Sequence, residues 1–188
     1  DMKLKVEAIH QIDDKKYISG VRTFCKMEPF PGRDDLPAKA CSYKDCAIHA
    51  FRFVFNDETN QYWLEKGMPK PDYYHNVYPS KTYASVINAM VTYAELEPEK
   101  AEKALKIATN IADYLISITY GKESPLEGLP PTYSFKDIDE ELATSIAPSA
   151  AKRRDMIMMI YPASAGSAYL TLEKATGDKK YYEIDVRF

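Results

Sequence analysis

Tyr161-Pro162-Ala163-Ser164-Ala165-Gly166-Ser167-Ala168-Tyr169-Leu170-Thr171-Leu172-Glu173-Lys174-Ala175-Thr176-Gly177-Asp178-Lys179-Lys180-Tyr181-Tyr182-Glu183 reads as a helix, a stop and an immediate restart. Pro162 opens the helix, which is expected over Ala163–Thr176, because its missing N–H and fixed φ suit a first turn. Gly177 supplies the left-handed residue that ends it, and Asp178 the side-chain oxygen that caps the next one. The first turns carry only Ala, Ser and Gly, so another backbone or a ligand can come close to them. Only ten residues follow Asp178 in this 188-residue chain. A helix that starts there has little length in which to bury a face. The expectation is a segment of a longer helical protein, or one completed by self-association.

The same grammar occurs earlier. Tyr78-Pro79-Ser80 follows a loop, as Tyr161-Pro162-Ala163 does, and opens a helix expected from Ser80 to about Glu97. Its polar residues Lys81, Ser85, Asn88, Thr92 and Glu95 are spaced 4, 3, 4, 3 and form one narrow stripe. The rest is apolar, so the helix is expected to be buried on most sides. Pro98 restarts a helix expected to run to about Tyr120, with Glu99 and Glu102 in its first turn. This one is amphipathic, with Glu99, Lys103, Lys106, Asn110, Asp113 and Ser117 on its wet face. Inner helix, tight turn, outer helix and long loop thus alternate, which is a weak internal repeat. Between the copies lies Gly121–Tyr161, rich in Pro, Ser and charge, with a short helix expected within Asp137–Ala147. Loops of this length are usually functional or disordered.

The Tyr161–Glu183 stretch resembles the hairpin signature of the (α/α) toroids. These are the six-hairpin glycosidase-like folds of glycoside hydrolases, polysaccharide lyases and sugar epimerases. The small residues, Ala168-Tyr169-Leu170, Ala175-Thr176-Gly177-Asp178 and Tyr181 carry the likeness. Residues 78–120 share it by pattern only. The resemblance implies a mainly α protein: a partial (α/α) toroid of helical hairpins over 71–188, incomplete at its C-terminal end, preceded by a small mixed α/β part over 1–70.

Within that first part, Lys16–Phe24 has strand composition, and Pro29–Pro37 reads as a loop. Ala50–Phe55, Asn56–Asn60 and Gln61–Glu65 read as strand, turn, strand, with a helix through Tyr43–Phe55 as the competing assignment. Cys25, Cys41 and Cys46 are too few and too odd for a disulfide framework. With His49 they could in principle hold zinc, but the Cys-x4-Cys-x2-His spacing lacks a tight knuckle. No metal and no cofactor is expected. Neither a phosphate-binding Gly-rich loop nor a nucleophile elbow is present.

Composition narrows the partners. The formal charge is −3, from 25 Lys+Arg and 28 Asp+Glu, so the electrostatic footprint of nucleic-acid binding is missing. No apolar run approaches the ~18 residues of a membrane span, and Asp1-Met2-Lys3-Leu4 does not open as a signal peptide does. The 45% apolar content is enough for a packed core. Tyr is the unusual residue, at 15 against 7 Phe and one Trp. It suits surfaces that grip polar ligands, and it also serves in wet helix packing.

In a ring of hairpins the long loops gather at one rim, at the N-terminal ends of the inner helices. Two segments lead there, Asp72–Tyr78 and Ala151–Tyr161. They place the candidate catalytic residues His75, Tyr74, Asp72 and Asp155 together with the candidate substrate contacts Asn76, Tyr78, Arg153, Arg154 and Tyr161. Tyr133, after the rigid Gly128-Leu129-Pro130-Pro131 run, is a candidate stacking platform. Uronate β-elimination needs a proton acceptor and cationic or amide groups around the substrate carboxylate. Hydrolysis needs two carboxyl groups at a suitable separation, here Asp72 and Asp155, with Glu140 or Glu141 as outsiders. Each candidate also has an ordinary role: His75 and its tyrosines as packing, Arg153-Arg154-Asp155 as a solvated cluster, Glu140-Glu141 as an exposed helix face. The expectation is a carbohydrate-active enzyme, or a segment of one, acting on an oligo- or polysaccharide as hydrolase or uronate lyase, secreted or periplasmic. The alternative is a non-catalytic helical-hairpin scaffold that binds a glycan or a protein.

Overall fold

The computed structural model describes residues 3–12, 15–25, 42–154 and 156–185. Its contacts divide the chain at Ala40/Cys41 into two units. In the first, strands β1 (Lys3–Ile12) and β2 (Lys15–Cys25) pair antiparallel. The register slips between Ala8/Gly20 and Ile9/Ile18, which leaves Ser19 as the extra residue of a bulge. The strand expected over Lys16–Phe24 is thus present as β2. The loop expected over Pro29–Pro37 lies outside the described residues, as does Cys41.

The second unit is helical and begins well before residue 71. Helices α1 (Tyr43–Asn56) and α2 (Glu58–Lys66) occupy the stretch expected as strand, turn, strand. The competing helix assignment is the correct one for α1. Phe51-Arg52-Phe53-Val54-Phe55 looks like a period of two, but Ala47, Ile48, Phe51, Val54 and Phe55 turn inward at helical spacing while Phe53 is 77% exposed. Side-chain caps fix both starts. Ser42 Oγ accepts from Asp45 N at 3.1 Å, and Asp57 Oδ1 from Thr59 N at 2.9 Å. The turn between the helices has shrunk to the single residue Asp57.

The central helix α3 (Pro79–Leu96) packs against α1, α4 (Ala101–Ser117) and α7 (Ile160–Thr176). A 3₁₀ turn, Pro98–Lys100, joins α3 to α4. Nine of the 18 residues of α3 are buried, against six of the 17 of α4, so α3 is the inner member of the pair and α4 the outer. Glu102, Lys103, Lys106, Asp113 and Ser117 of α4 face solvent. Asn110, expected on that wet face, instead donates to the Trp63 carbonyl at the end of α2, 2.8 Å away. Trp63 meets the edges of Tyr83 and Tyr114 at 5.3 and 5.4 Å between ring centroids. Tyr83, Tyr93, Tyr169 and Tyr181 are all buried in this core, which is where much of the tyrosine excess goes.

Gly177 ends α7 at φ 74°, and Asp178 Oδ1 accepts from Lys180 N at 3.1 Å to start α8 (Lys180–Asp185). Tyr181 stacks on Tyr169 at 6.3 Å and donates to Asp113 of α4 at 3.0 Å. Burial and the Asp113 carboxylate push the Tyr181 hydroxyl up to about 12. On α7, Ile160 and Leu170 remain exposed beside Ala163, Ser164 and Ser167.

The segment after α4 has structure of its own. Helices α5 (Glu140–Ile146) and α6 (Pro148–Ala151) lie within it, α5 inside the span expected to be helical. A second, smaller cluster, Val77, Tyr133, Ala143, Ala147 and Ala150, forms beneath it. None of the helices described is long and apolar enough to cross a membrane.

Candidate functional site

Residues 70–78 are wound tightly before α3 begins. Lys70 O accepts from Tyr73 N at 3.1 Å, Tyr73 O from Asn76 N at 3.0 Å, and His75 O from Tyr78 N at 3.0 Å. The result is a 3₁₀ turn over Tyr74–Val77. With three residues per turn, successive side chains leave in different directions. Tyr74 and His75 face outward, whereas Asn76 and Val77 are buried. The turn is pinned to the 121–159 segment. Val77 O accepts from Ser134 N at 3.1 Å, Pro71 O from Asp139 N at 2.7 Å, and Ser80 Oγ donates to Pro131 O.

This arrangement leaves a concavity of about 380 Å³ lined by Tyr74, His75, Tyr78, Lys81, Thr82 and Tyr161. The Tyr74 and His75 rings lie 3.9 Å apart at 34°, with Tyr73 5.2 Å from His75 on another side. Lys81 Nζ sits 6.0 Å from the centre of the Tyr161 ring, which brings the first turns of α3 and α7 to one place. Desolvation, then the neighbouring Lys81 charge, hold the His75 imidazole below the ordinary histidine value. At neutral pH it is therefore an uncharged base beside an ammonium group. None of the described lining residues is acidic.

Four of the candidates named from sequence, Tyr74, His75, Tyr78 and Tyr161, thus meet around one concavity. The others are placed differently. Asp72 is exposed outside it and paired with Lys70 at 2.9 Å, and that ammonium lowers its carboxyl. Asp155 lies outside the described residues. Asn76, expected as a substrate contact, is 2% exposed and donates to Lys70 O at 2.9 Å. Tyr133, expected as a stacking platform, is buried edge-on against Tyr78 at 5.6 Å, with its hydroxyl 3.8 Å from Met158 Sδ. Arg153 is exposed on the turn after α6. Arg154 pairs with Glu140 and lies over the Phe135 ring at 4.2 Å, so its guanidinium already has an anion and an aromatic face.

Sequence reasoning missed Lys81 and Thr82. Lys81 was legible as the first member of the polar stripe of α3, and its place in the first turn puts it at the rim. The stripe reading assigned it to solvent. Cys46 is a free, exposed thiol on α1, and the described residues contain no cluster of three or more His, Cys, Asp or Glu side chains that could hold a metal. Comparison with protein-family models, curated proteins and solved structures finds no match.

Proposed function

We propose that the concavity between the His75 turn and the first turns of α3 and α7 is a carbohydrate site, and that the chain belongs to a secreted or periplasmic enzyme cleaving acidic polysaccharide by β-elimination. The observation that carries this reading is the company His75 keeps. An uncharged imidazole, one ammonium and three tyrosines share the concavity, and no described carboxylate lines it. Among the described residues the pair of carboxyl groups that hydrolysis needs has no counterpart there, since Asp72 is engaged by Lys70 outside it. In the proposed step, Lys81 holds the uronate carboxylate and tyrosine faces stack on the sugar ring. His75 removes the proton beside the carboxylate. The electron pair forms a carbon–carbon double bond as the bond to the glycosidic oxygen breaks, and a tyrosine hydroxyl protonates that oxygen. The inner and outer order of α3 and α4 supports the toroid-like hairpin arrangement that goes with this reading.

The test is incubation of the purified chain with acidic and neutral oligosaccharides, following the ultraviolet absorbance of an unsaturated product. His75→Ala is expected to lower turnover by roughly 10²-fold or more, and Lys81→Met to weaken acidic ligands while sparing neutral ones. Saturable binding without product identifies a glycan-binding scaffold instead. Equal handling of acidic sugars by the wild type and both variants overturns the site.

A further inference from the structure

The two faces of α7 differ in what covers them. Pro162, Ala165, Gly166, Ala168, Tyr169 and Leu172 are buried, and the helix packs on α3 and α8. On the other face Ile160, Ala163, Ser167 and Leu170 are exposed at spacings of 3, 4 and 3, the spacing of a seam that meets another helix. Ile160 keeps 67% of its surface open, Met159 before it 58% and Leu170 40%. No charge interrupts residues 156–172, whereas the exposed face of α4 carries Glu102, Lys103, Lys106 and Asp113. Two hydroxyls beside the seam are turned onto their own helix: Ser164 Oγ donates to Ile160 O at 2.7 Å, and Thr171 Oγ1 to Ser167 O at 2.9 Å. Covering this face would leave neither of them unpaired. An uncharged exposed face of this kind marks an interaction site.

We propose that this face is the contact of a two-fold homodimer, in which α7 of one copy packs antiparallel on α7 of a second. The order of sizes along the seam selects the occupant. It runs large, small, small, large, and reads the same from either end. About a two-fold axis opposite Ala165, Ile160 of one copy meets Leu170 of the other and Ala163 meets Ser167. A two-fold contact uses one patch twice and so requires such self-complementarity. Small residues at the crossing let the backbones approach, and the large ones fill the gaps where crossed helices diverge. Charge selects the direction. Lys174 is the next seam position after Leu170 and is exposed. A parallel pair would stack the two Lys174 ammonium groups, whereas the antiparallel pair lays the Lys174 stem along Met156 of the other copy. Met156 is itself exposed. This inference does not depend on the carbohydrate reading.

Analytical ultracentrifugation of the whole chain measures the association, under reducing conditions so that the exposed Cys46 thiol cannot link copies. One helix pair is a small interface, so a dissociation constant on the order of 10 µM is expected. Ser167→Glu places like charges near the axis in both copies and should weaken the dimer roughly tenfold or more, with the helical circular dichroism unchanged. Leu170→Lys should act in the same direction, and Lys103→Glu on the wet face of α4 should leave association as it was. Direction is read by oxidation of Ile160→Cys and Leu170→Cys chains that also carry Cys25→Ser, Cys41→Ser and Cys46→Ser. The antiparallel pair links the mixture faster than either chain alone, because identical positions lie about 15 Å apart along the seam. A chain that stays monomeric well above that concentration, a dimer that Ser167→Glu leaves as tight as before, or fastest linkage of Ile160→Cys to itself each overturns the proposal. A monomer assigns the face to a different partner.

Discussion

The cluster between the long helices sets large side chains, Trp63, Tyr83, Tyr93, Tyr169, Ile107, Ile111 and Leu115, among the alanines of α3, α4 and α7, with Trp63 coming from α2. The cluster beneath the 121–159 segment is Val77, Tyr133 and three alanines. The first has enough apolar surface to hold itself together by burial. The second is smaller, and its segment is attached to residues 71–80 by three polar staples, Ser134 N to Val77 O, Asp139 N to Pro71 O and Ser80 Oγ to Pro131 O, while Met158 N to Thr132 Oγ1 at 2.8 Å braces the segment within itself. The concavity stands against this second region. Its shape therefore depends on hydrogen bonds of modest individual worth, while the helices behind it supply the rigid frame. A small apolar cluster held largely by hydrogen bonds is what permits local opening without global unfolding.

The comparison can be broken most forcefully in the main core. Trp63→Ala is expected to cost about 3–5 kcal/mol, because it removes the ring around which Tyr83 and Tyr114 pack. Denaturant unfolding of the helical unit measures it, and a loss below about 1 kcal/mol places the core elsewhere. Next comes Thr132→Val, which keeps the shape of a fully buried side chain but leaves Met158 N without its acceptor. The expected cost is about 1–3 kcal/mol. Hydrogen exchange should quicken at residues 132–134 and 158 while α3 and α4 keep their protection. Uniform acceleration throughout the helices shows one cooperative unit, and the contrast between the regions fails.

The smallest effect concerns a polar contact on the edge of the main core. Arg52 of α1 pairs with Glu97, and Tyr93 Oη donates to the same carboxylate at 2.7 Å. The Arg52 hydrogen bond, then that from Tyr93, hold the Glu97 carboxyl below its ordinary value. A lowered carboxylate stabilises the fold in full above its unfolded value of about 4.3. That contribution is lost as pH falls through the lower folded value. Arg52→Met should therefore melt at a lower temperature than wild type from neutral pH down to about pH 5, and the two should converge in stronger acid. Arg52 is half exposed, so solvent screens the pair and the difference stays small. Parallel melting curves at every pH leave Glu97 out of the acid limb.

Helix boundaries marked by backbone chemistry were legible in the sequence. Pro79 and Pro98 begin turns, and Gly177 and Asp178 stop and restart the chain where read. The inner and outer order followed from the widths of two polar stripes. Elsewhere the signal was present but passed over or misread. Leu4, Val6 and Ala8 alternate with charged residues, which is the period of β1. Phe51 to Phe55 mimicked that period because Phe53 is an exposed aromatic on a helix. At the site, proximity in sequence collected Tyr74, His75 and Tyr78, and the two Tyr-Pro starts brought in Tyr161. What sequence could not provide was sidedness within a 3₁₀ turn, so Asn76 was assigned to the ligand when it faces the interior. Arg154 and Glu140 lie 14 residues apart, and no periodicity announces their pairing.

Trp63 has an optical consequence. It is the single tryptophan of the chain, it is 1% exposed, and two tyrosine rings pack against it in T-shaped geometry. Its emission is expected to be that of a buried indole among aromatic rings, and to shift to the red as α2, α3 and α4 separate and water reaches the ring. The tyrosines beside it pass excitation energy to it, so the ratio of tyrosine to tryptophan emission gauges the separation of those helices. The 121–159 segment has no indole, and its own Tyr133 packs on Tyr78 instead. Light from the indole thus reads the frame and is blind to the rim.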